Sequence, residues 1–125
     1  MIFDSDVLIW FLRGNENAQQ KVLAEAPLKI SAVTYMELVQ GMKDKRELSI
    51  LKKTLKNLDA EVLQVEKDIS EKAVSFVEEF YLSNSFELGD ALIAATCLKY
   101  DEPLCTANDK HYKVVEGLKL DIFRQ

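Results

Sequence analysis

Short apolar runs that stop at small polar or acidic residues alternate along the chain with stretches whose apolar positions recur every three or four residues. Ile2 and Phe3 end the first run at Asp4, and Val7, Leu8, Ile9, Phe11 and Leu12 follow at once. MIFDSDVLIWFL therefore predicts a short buried strand that hands over to a buried helix across Asp4 and Asp6. Arg13-Gly14-Asn15 predicts a turn, after which Asn15 caps a short helix that runs to about Ala26 and stops before Pro27. Leu28-Lys29-Ile30 reads as a second strand. Ser31 or Thr34 caps the helix that follows, with Val33, Met36, Val39 and Met42 at helical spacing and Glu37 in its first turns.

The alternation continues to the end of the chain. From Lys45 a longer amphipathic helix sets Leu48, Leu51, Leu55 and Leu58 opposite its lysines. Glu61 to Val65 predicts a third strand, and Ile69, Ala73, Phe76, Val77, Phe80 and Tyr81 give the next helix a wide buried face before the polar turn Ser83-Asn84-Ser85. ELGDALIAATCLKY is the most apolar helix and suits a central position, with Asp90 in its first turn where the helix dipole favours an anion. Pro103-Leu104-Cys105 predicts a fourth strand that ends at Thr106, Asn108 and Asp109, and Leu118 to Phe123 a final one. Strands and helices alternate without a hairpin signal, which predicts an α/β sandwich around a mostly parallel sheet.

Composition narrows the class. With 125 residues, 48% of them hydrophobic, the chain fits one domain spanning 1–125. No run approaches the roughly 20 apolar residues of a membrane span. The first apolar stretch is broken by Asp4 and Asp6 and lacks a basic leader, so a soluble, cytoplasmic protein is expected. Cys97 and Cys105 lie in apolar surroundings that suit reduced, buried thiols. A net charge of −5 argues against general electrostatic binding of nucleic acid, although acids neutralised by a metal leave room for a nuclease. Lys43, Lys45, Arg46, Lys52, Lys53 and Lys56 crowd one segment, either as a solvated helix face or as a surface for a polyanion.

By element order Asp4, Glu37, Asp90 and Asp109 all fall at the carboxyl edge of the sheet, where ligands of open α/β folds bind. Two carboxylates about 4 Å apart repel by roughly 4 kcal/mol at an effective dielectric of 20, so such a group needs a cation or protons. Hard oxygen donors select Mg²⁺ or Mn²⁺, and a divalent ion held by carboxylates suits phosphoryl chemistry. The opposing reading is that, among 21 acids, four near element ends share no function. His111 is the sole histidine, which disfavours a ribonuclease using two histidines as acid and base, and His111-Tyr112 reads as structural. Trp10 reads as an apolar anchor of the first helix or a dimer contact.

The segments FDSDVLIWFLRG, SAVTYMELVQG, LGDALIAATCL and PLCTANDKHY, in this order, resemble the PIN domain, and most closely the VapC-type toxin ribonucleases of toxin–antitoxin pairs. The resemblance covers nearly the whole chain. It implies a Rossmann-like three-layer α/β/α sandwich, Mg²⁺- or Mn²⁺-dependent hydrolysis of RNA (transfer or ribosomal RNA among the targets), a homodimer, and inhibition by a cognate VapB-type antitoxin. It also implies that Asp4, Glu37 and Asp90 hold the metal and act in catalysis. For the fourth position both Asn108 and Asp109 are carried, Asp109 as charge donor and Asn108 as an outer group. Asp6 is either a ligand through water or a helix cap, and Ser5 and Thr106 are placed to orient Asp4. Arg13, Lys43, Lys45 and Arg46 are candidate contacts to nucleic acid. Two alternatives stay open: a catalytically silent PIN-fold binding module, with the helix from Lys45 to Leu58 lining a groove for a partner, and a phosphatase similar to the haloacid dehalogenases using Asp4 and Asp6.

Overall fold

The computed structural model describes all 125 residues. Strands β1 (Ile2–Phe3), β2 (Lys29–Ser31), β3 (Glu61–Leu63), β4 (Leu104–Thr106) and β5 (Leu120–Ile122) form one sheet in the order β3-β2-β1-β4-β5, with every neighbouring pair parallel. The connections hold α1 (Ser5–Leu12), α2 (Glu16–Ala24), α3 (Ala32–Gln40), α4 (Lys45–Asn57), α5 (Lys67–Asn84), α6 (Leu88–Lys99) and α7 (Asp109–Tyr112). From β1 the chain builds outward to β2 and β3, then crosses back to β4 and β5 on the other side of β1. The order therefore reverses between β1 and β4, the switch point at which an open parallel sheet leaves a crevice at its carboxyl edge.

Successive strand residues point to opposite faces, and the two residues of β1 show it. Ile2 packs with Leu104, Ile69, Phe76 and the buried side of α6, whereas Phe3 packs with Val7, Leu8, Val22 and Leu51. One helical layer thus comprises α5, α6 and α7, and the other α1, α2 and α4. Helix α3 joins both, with Val33 on the first side and Leu38 on the second. The central position expected for ELGDALIAATCLKY follows from its small side chains: Ala91, Ile93, Ala94, Ala95, Thr96 and Cys97 of α6 are all buried.

Boundaries moved where local contacts decide them. Asn15 caps α2 through Ala18 N–H, but α2 ends at Ala24. Of the two candidate caps for α3, Ser31 is the one that accepts from the helix, at Val33 N–H, and Thr34 lies inside the helix. Met36 is 54% exposed, because α3 turns Val33, Thr34 and Leu38 inward between its neighbours. Helix α5 runs through Ser83 and Asn84, and the turn is a single left-handed Ser85 at φ 52°. Tyr81 is exposed at the end of that helix.

Cys97 and Cys105 are free, buried, and belong to cores on opposite sides of the sheet. Burial pushes each thiol up to about 12, so about one in 10⁴ is ionised at pH 8. The folded protein should react with a thiol reagent at pH 8 at least about 100-fold more slowly than the urea-unfolded chain. Equal rates would contradict this burial.

Candidate active site at the carboxyl edge

Asp4 follows β1 directly and caps α1, so its carboxylate is fixed by the strand-to-helix handover. One oxygen accepts from Ser5 N–H at 2.8 Å and the other from the Thr106 hydroxyl, at the end of β4, also at 2.8 Å. Thr106 Oγ1 in turn accepts from Asn108 N–H at 2.9 Å, which ties Asp4 to the turn before α7. Only 6% of Asp4 is exposed.

Glu37 reaches the same edge from α3. A Cβ placed on Gly89 would come within 3.3 Å of Glu37 Oε2, so the missing side chain at Gly89 lets Glu37 lie against the first turn of α6. In that turn Asp90 Oδ2 accepts from Glu87 N–H at 3.2 Å, half of a capping box that closes with Glu87. Asp90 Oδ1 accepts from the Tyr112 hydroxyl at 3.4 Å, and His111 Nδ1 lies 3.5 Å from Oδ2. Asn108 Nδ2 is 3.0 Å from the same His111 nitrogen.

The electrostatics show that these groups share one space. Burial raises Asp4 above the ordinary carboxylate range, the hydrogen bonds from Thr106 and Ser5 offset part of this, and the Asp90 charge adds to it. Burial also raises Glu37, followed by the charge of Asp4, an opposing contribution from Ser5, and the charge of Asp90. Asp6 is pushed up to about 6, by burial first and then by Asp4, against backbone N–H groups of Ala107 and Val7. Tyr112 is raised by burial and then by Asp4, Asp90 and Glu37, so its hydroxyl faces all three acids.

A cluster of this kind fits a hard divalent cation by its chemistry: every donor is a carboxylate oxygen, the charge of Asp90 makes ionisation of Asp4 harder, and the charges of Asp4 and Asp90 make ionisation of Glu37 harder. No three His, Cys, Asp or Glu side chains close around a common point. Because Asp4, Asp6 and Glu37 are raised, the native state holds protons more tightly than the unfolded chain, and its stability grows as pH falls from 7 toward the unfolded carboxylate values near 4. In EDTA the melting temperature should be higher at pH 5.5 than at pH 7.5, and Mg²⁺ should recover the difference at pH 7.5. A melting temperature flat across this range would count against the cluster.

Other candidates from the sequence lie around this edge without joining the three acids. Asp109 opens α7 and is paired with Arg124 Nη2 at 2.8 Å, which holds its carboxyl below the usual range. It is therefore turned to the chain's end, while Asn108 reaches the neighbourhood of Asp90 through His111. Asp6 accepts from Val7 N–H at 2.7 Å and Ala107 N–H at 3.0 Å, tying α1 to the loop after β4. Arg13 lies 5.5 Å over the Trp10 ring and, with Glu37, Lys43 and Ile50, lines a groove of about 490 Å³. Lys45 and Arg46 are exposed at the start of α4, outside that groove. The group that sequence reasoning passed over is the Tyr112 hydroxyl, since an aromatic at a helical apolar position reads as core.

An all-parallel α/β domain with carboxylates gathered at its switch point belongs to the class whose ligands bind at that edge. The PIN domain family matches residues 1–118, and the chain belongs to that family. It is similar to ribonuclease VapC10 of Mycobacterium tuberculosis, strain H37Rv, at 34% identity over 125 residues, covering 95% of this chain and 90% of that one. Among solved structures it resembles a chain of a toxin–antitoxin complex from Klebsiella pneumoniae, with a TM-score of 0.78 and 27% identity over 94% of this chain and 93% of that one. A chain of DNA-bound VapBC from Salmonella typhimurium shares the fold, with a TM-score of 0.82 at 18% identity over 97% of this chain and 96% of the other. The three-layer sandwich implied by the sequence resemblance is thus the observed fold. No helix is long and apolar enough to cross a membrane.

Proposed function

We propose that the chain is a metal-dependent endoribonuclease, the toxin of a toxin–antitoxin pair, which hydrolyses phosphodiester bonds of transfer or ribosomal RNA at Asp4, Glu37 and Asp90. The observation that carries this reading is the convergence of these three acids on one edge: Asp4 at the end of β1, Glu37 against Gly89 in the first turn of α6, and Asp90 in that same turn beside the Tyr112 hydroxyl. Similarity to a ribonuclease over nearly the whole chain supports the activity. When bound, Mg²⁺ or Mn²⁺ supplies a water of lowered pKa and positive charge opposite the scissile phosphate.

The chain's own groups do the rest. Asp4, directly after β1, and Asp90, in the first turn of α6, would hold the ion, and Glu37 reaches the same edge from α3. Ser5 N–H and the Thr106 hydroxyl fix the Asp4 carboxylate, so little reorganisation accompanies ion binding. Asp109 is held by Arg124 and contributes at most through solvent, so Asp109→Asn should cost cleavage far less, within about 10-fold, than the same change at Asp4 or Asp90. A loss equal to that at Asp4 would place Asp109 in the site.

A VapB-type antitoxin is the proposed partner. The groove beside Glu37 is lined by Ile9, Leu12, Leu38, Met42 and Ile50, an apolar channel of the kind that takes a partner helix. The likeness to a chain of a toxin–antitoxin complex from Klebsiella pneumoniae at 27% identity supports an antitoxin as partner. Exposed Val74 and Leu88, which line one shallow hollow with Val77 and Leu92, offer an apolar patch on α5 and α6 for the proposed homodimer. The reading is tested by incubating purified protein with total cellular RNA in Mg²⁺, Mn²⁺ or EDTA. Discrete fragments that need metal are expected, and RNA left intact under all three conditions would overturn it.

A further inference from the structure

We infer that Tyr112 is a positioning residue, whose hydroxyl orients the Asp90 carboxylate beside Asp4 for the divalent cation that the two would hold. The inference rests on the proposed metal-dependent reading of the site and adds to it the group that sets its geometry. Tyr112 has no exposed surface, yet its hydroxyl points into the acids and away from the aromatic core. It donates to Asp90 Oδ1 at 3.4 Å and faces the charge of Asp4.

The ring is held rigidly enough for such a task. Phe86 meets it edge to face at 6.2 Å, and Phe86 is itself packed against Phe76 at 6.3 Å and Phe80 at 5.7 Å. The hydroxyl therefore sits at the tip of an aromatic wedge driven from the α5–α6 core toward the carboxyl edge. A neutral donor suits this position. A lysine or arginine would neutralise the acids and compete with a cation, whereas a phenol orients them and leaves their charge in place. The remaining Asp90 oxygen is fixed by Glu87 N–H at 3.2 Å, so the two donors together settle the plane of the carboxylate.

The test uses the whole chain and Mn²⁺ alone as probe. Calorimetric titration of wild type and Tyr112→Phe should give an affinity about 10-fold or more lower in the variant, the usual size for losing a group that orients a metal ligand. Cleavage by Tyr112→Phe should need correspondingly more Mn²⁺ for half its maximal rate and recover most of the wild-type rate at saturation. Phe76→Leu, which disturbs the wedge at its base and keeps the hydroxyl, should lower the melting temperature and leave Mn²⁺ affinity near that of wild type. Equal affinity in wild type and Tyr112→Phe overturns the inference and leaves the reading of the site intact. No Mn²⁺ binding by wild type overturns both. A Tyr112→Phe chain that fails to fold also contradicts the inference, since the hydroxyl would then serve the fold and not the orientation of Asp90.

Discussion

Asp4→Asn is expected to lower RNA cleavage by about 10³-fold or more while the protein melts no lower than wild type in EDTA at pH 7.5. The two halves of this result have one cause. Asp4 is almost fully buried, and burial is the largest influence on its carboxyl, so the ionised form is costly in the absence of a cation. An asparagine keeps an acceptor for Ser5 N–H, and its amide can donate to Thr106 Oγ1, so both fixed contacts survive in altered polarity. The charge that holds a metal ion is gone, and a factor of 10³ corresponds to about 4 kcal/mol of lost transition-state stabilisation. Cleavage rate and thermal melting on the same preparation check both halves. An active Asp4→Asn would remove Asp4 from the chemistry, and a variant that melts well below wild type would show that the carboxylate is there for the fold.

The largest effect on stability is expected at Phe86. It is fully buried between α5, α6 and α7, with Phe76, Phe80 and Tyr112 around its ring. Phe86→Ala removes most of that side chain from a site whose other walls are rigid aromatics, so the cavity cannot close. A loss of about 3–5 kcal/mol follows, and at about 4 °C per kcal/mol the melting temperature should fall by about 12–20 °C. That is a large part of the total stability of an ordinary domain. Urea unfolding read by circular dichroism measures it directly, and a loss below about 1 kcal/mol would mean that the aromatic cluster is not packed as described.

Much of this arrangement was legible in the sequence because it is local. The step from Ile2-Phe3 through Asp4 into Val7-Leu8 needs only the change from a strand's run to a helix's spacing, and the structure turns there. Asn15 as a cap and Asp90 in the first turn of α6 are equally local. Element order with no hairpin signal then puts the ends of parallel strands on one edge, which brings Asp4, Glu37 and Asp90 within reach of one another.

What escaped the sequence depends on partners far along the chain. Asp109 reads as a fourth acid by position, but its neighbour is Arg124, beyond β5, and nothing in TANDKHY reveals that pairing. The Tyr112 hydroxyl meets Asp90 and faces the charge of Asp4, so its place in the site appears only once three separate elements are assembled. Met36 fits an apolar stripe by spacing, yet which stripe faces inward is settled by the two neighbours of α3. β3 and β5 are shorter than the runs that predict them, and β3 stops where its neighbour ends: Leu63 closes it against Ser31, the last residue of β2.

If the carboxyl-edge acids hold a divalent cation that the chemistry needs, direct titration of the metal-free protein with Mn²⁺, beside Asp4→Asn and Asp90→Asn, will show it. Saturable binding by wild type is expected, weakened by at least about 10-fold in each variant with no loss of fold. Binding that is absent from wild type, or unchanged in both variants, would contradict a metal-holding role for these acids.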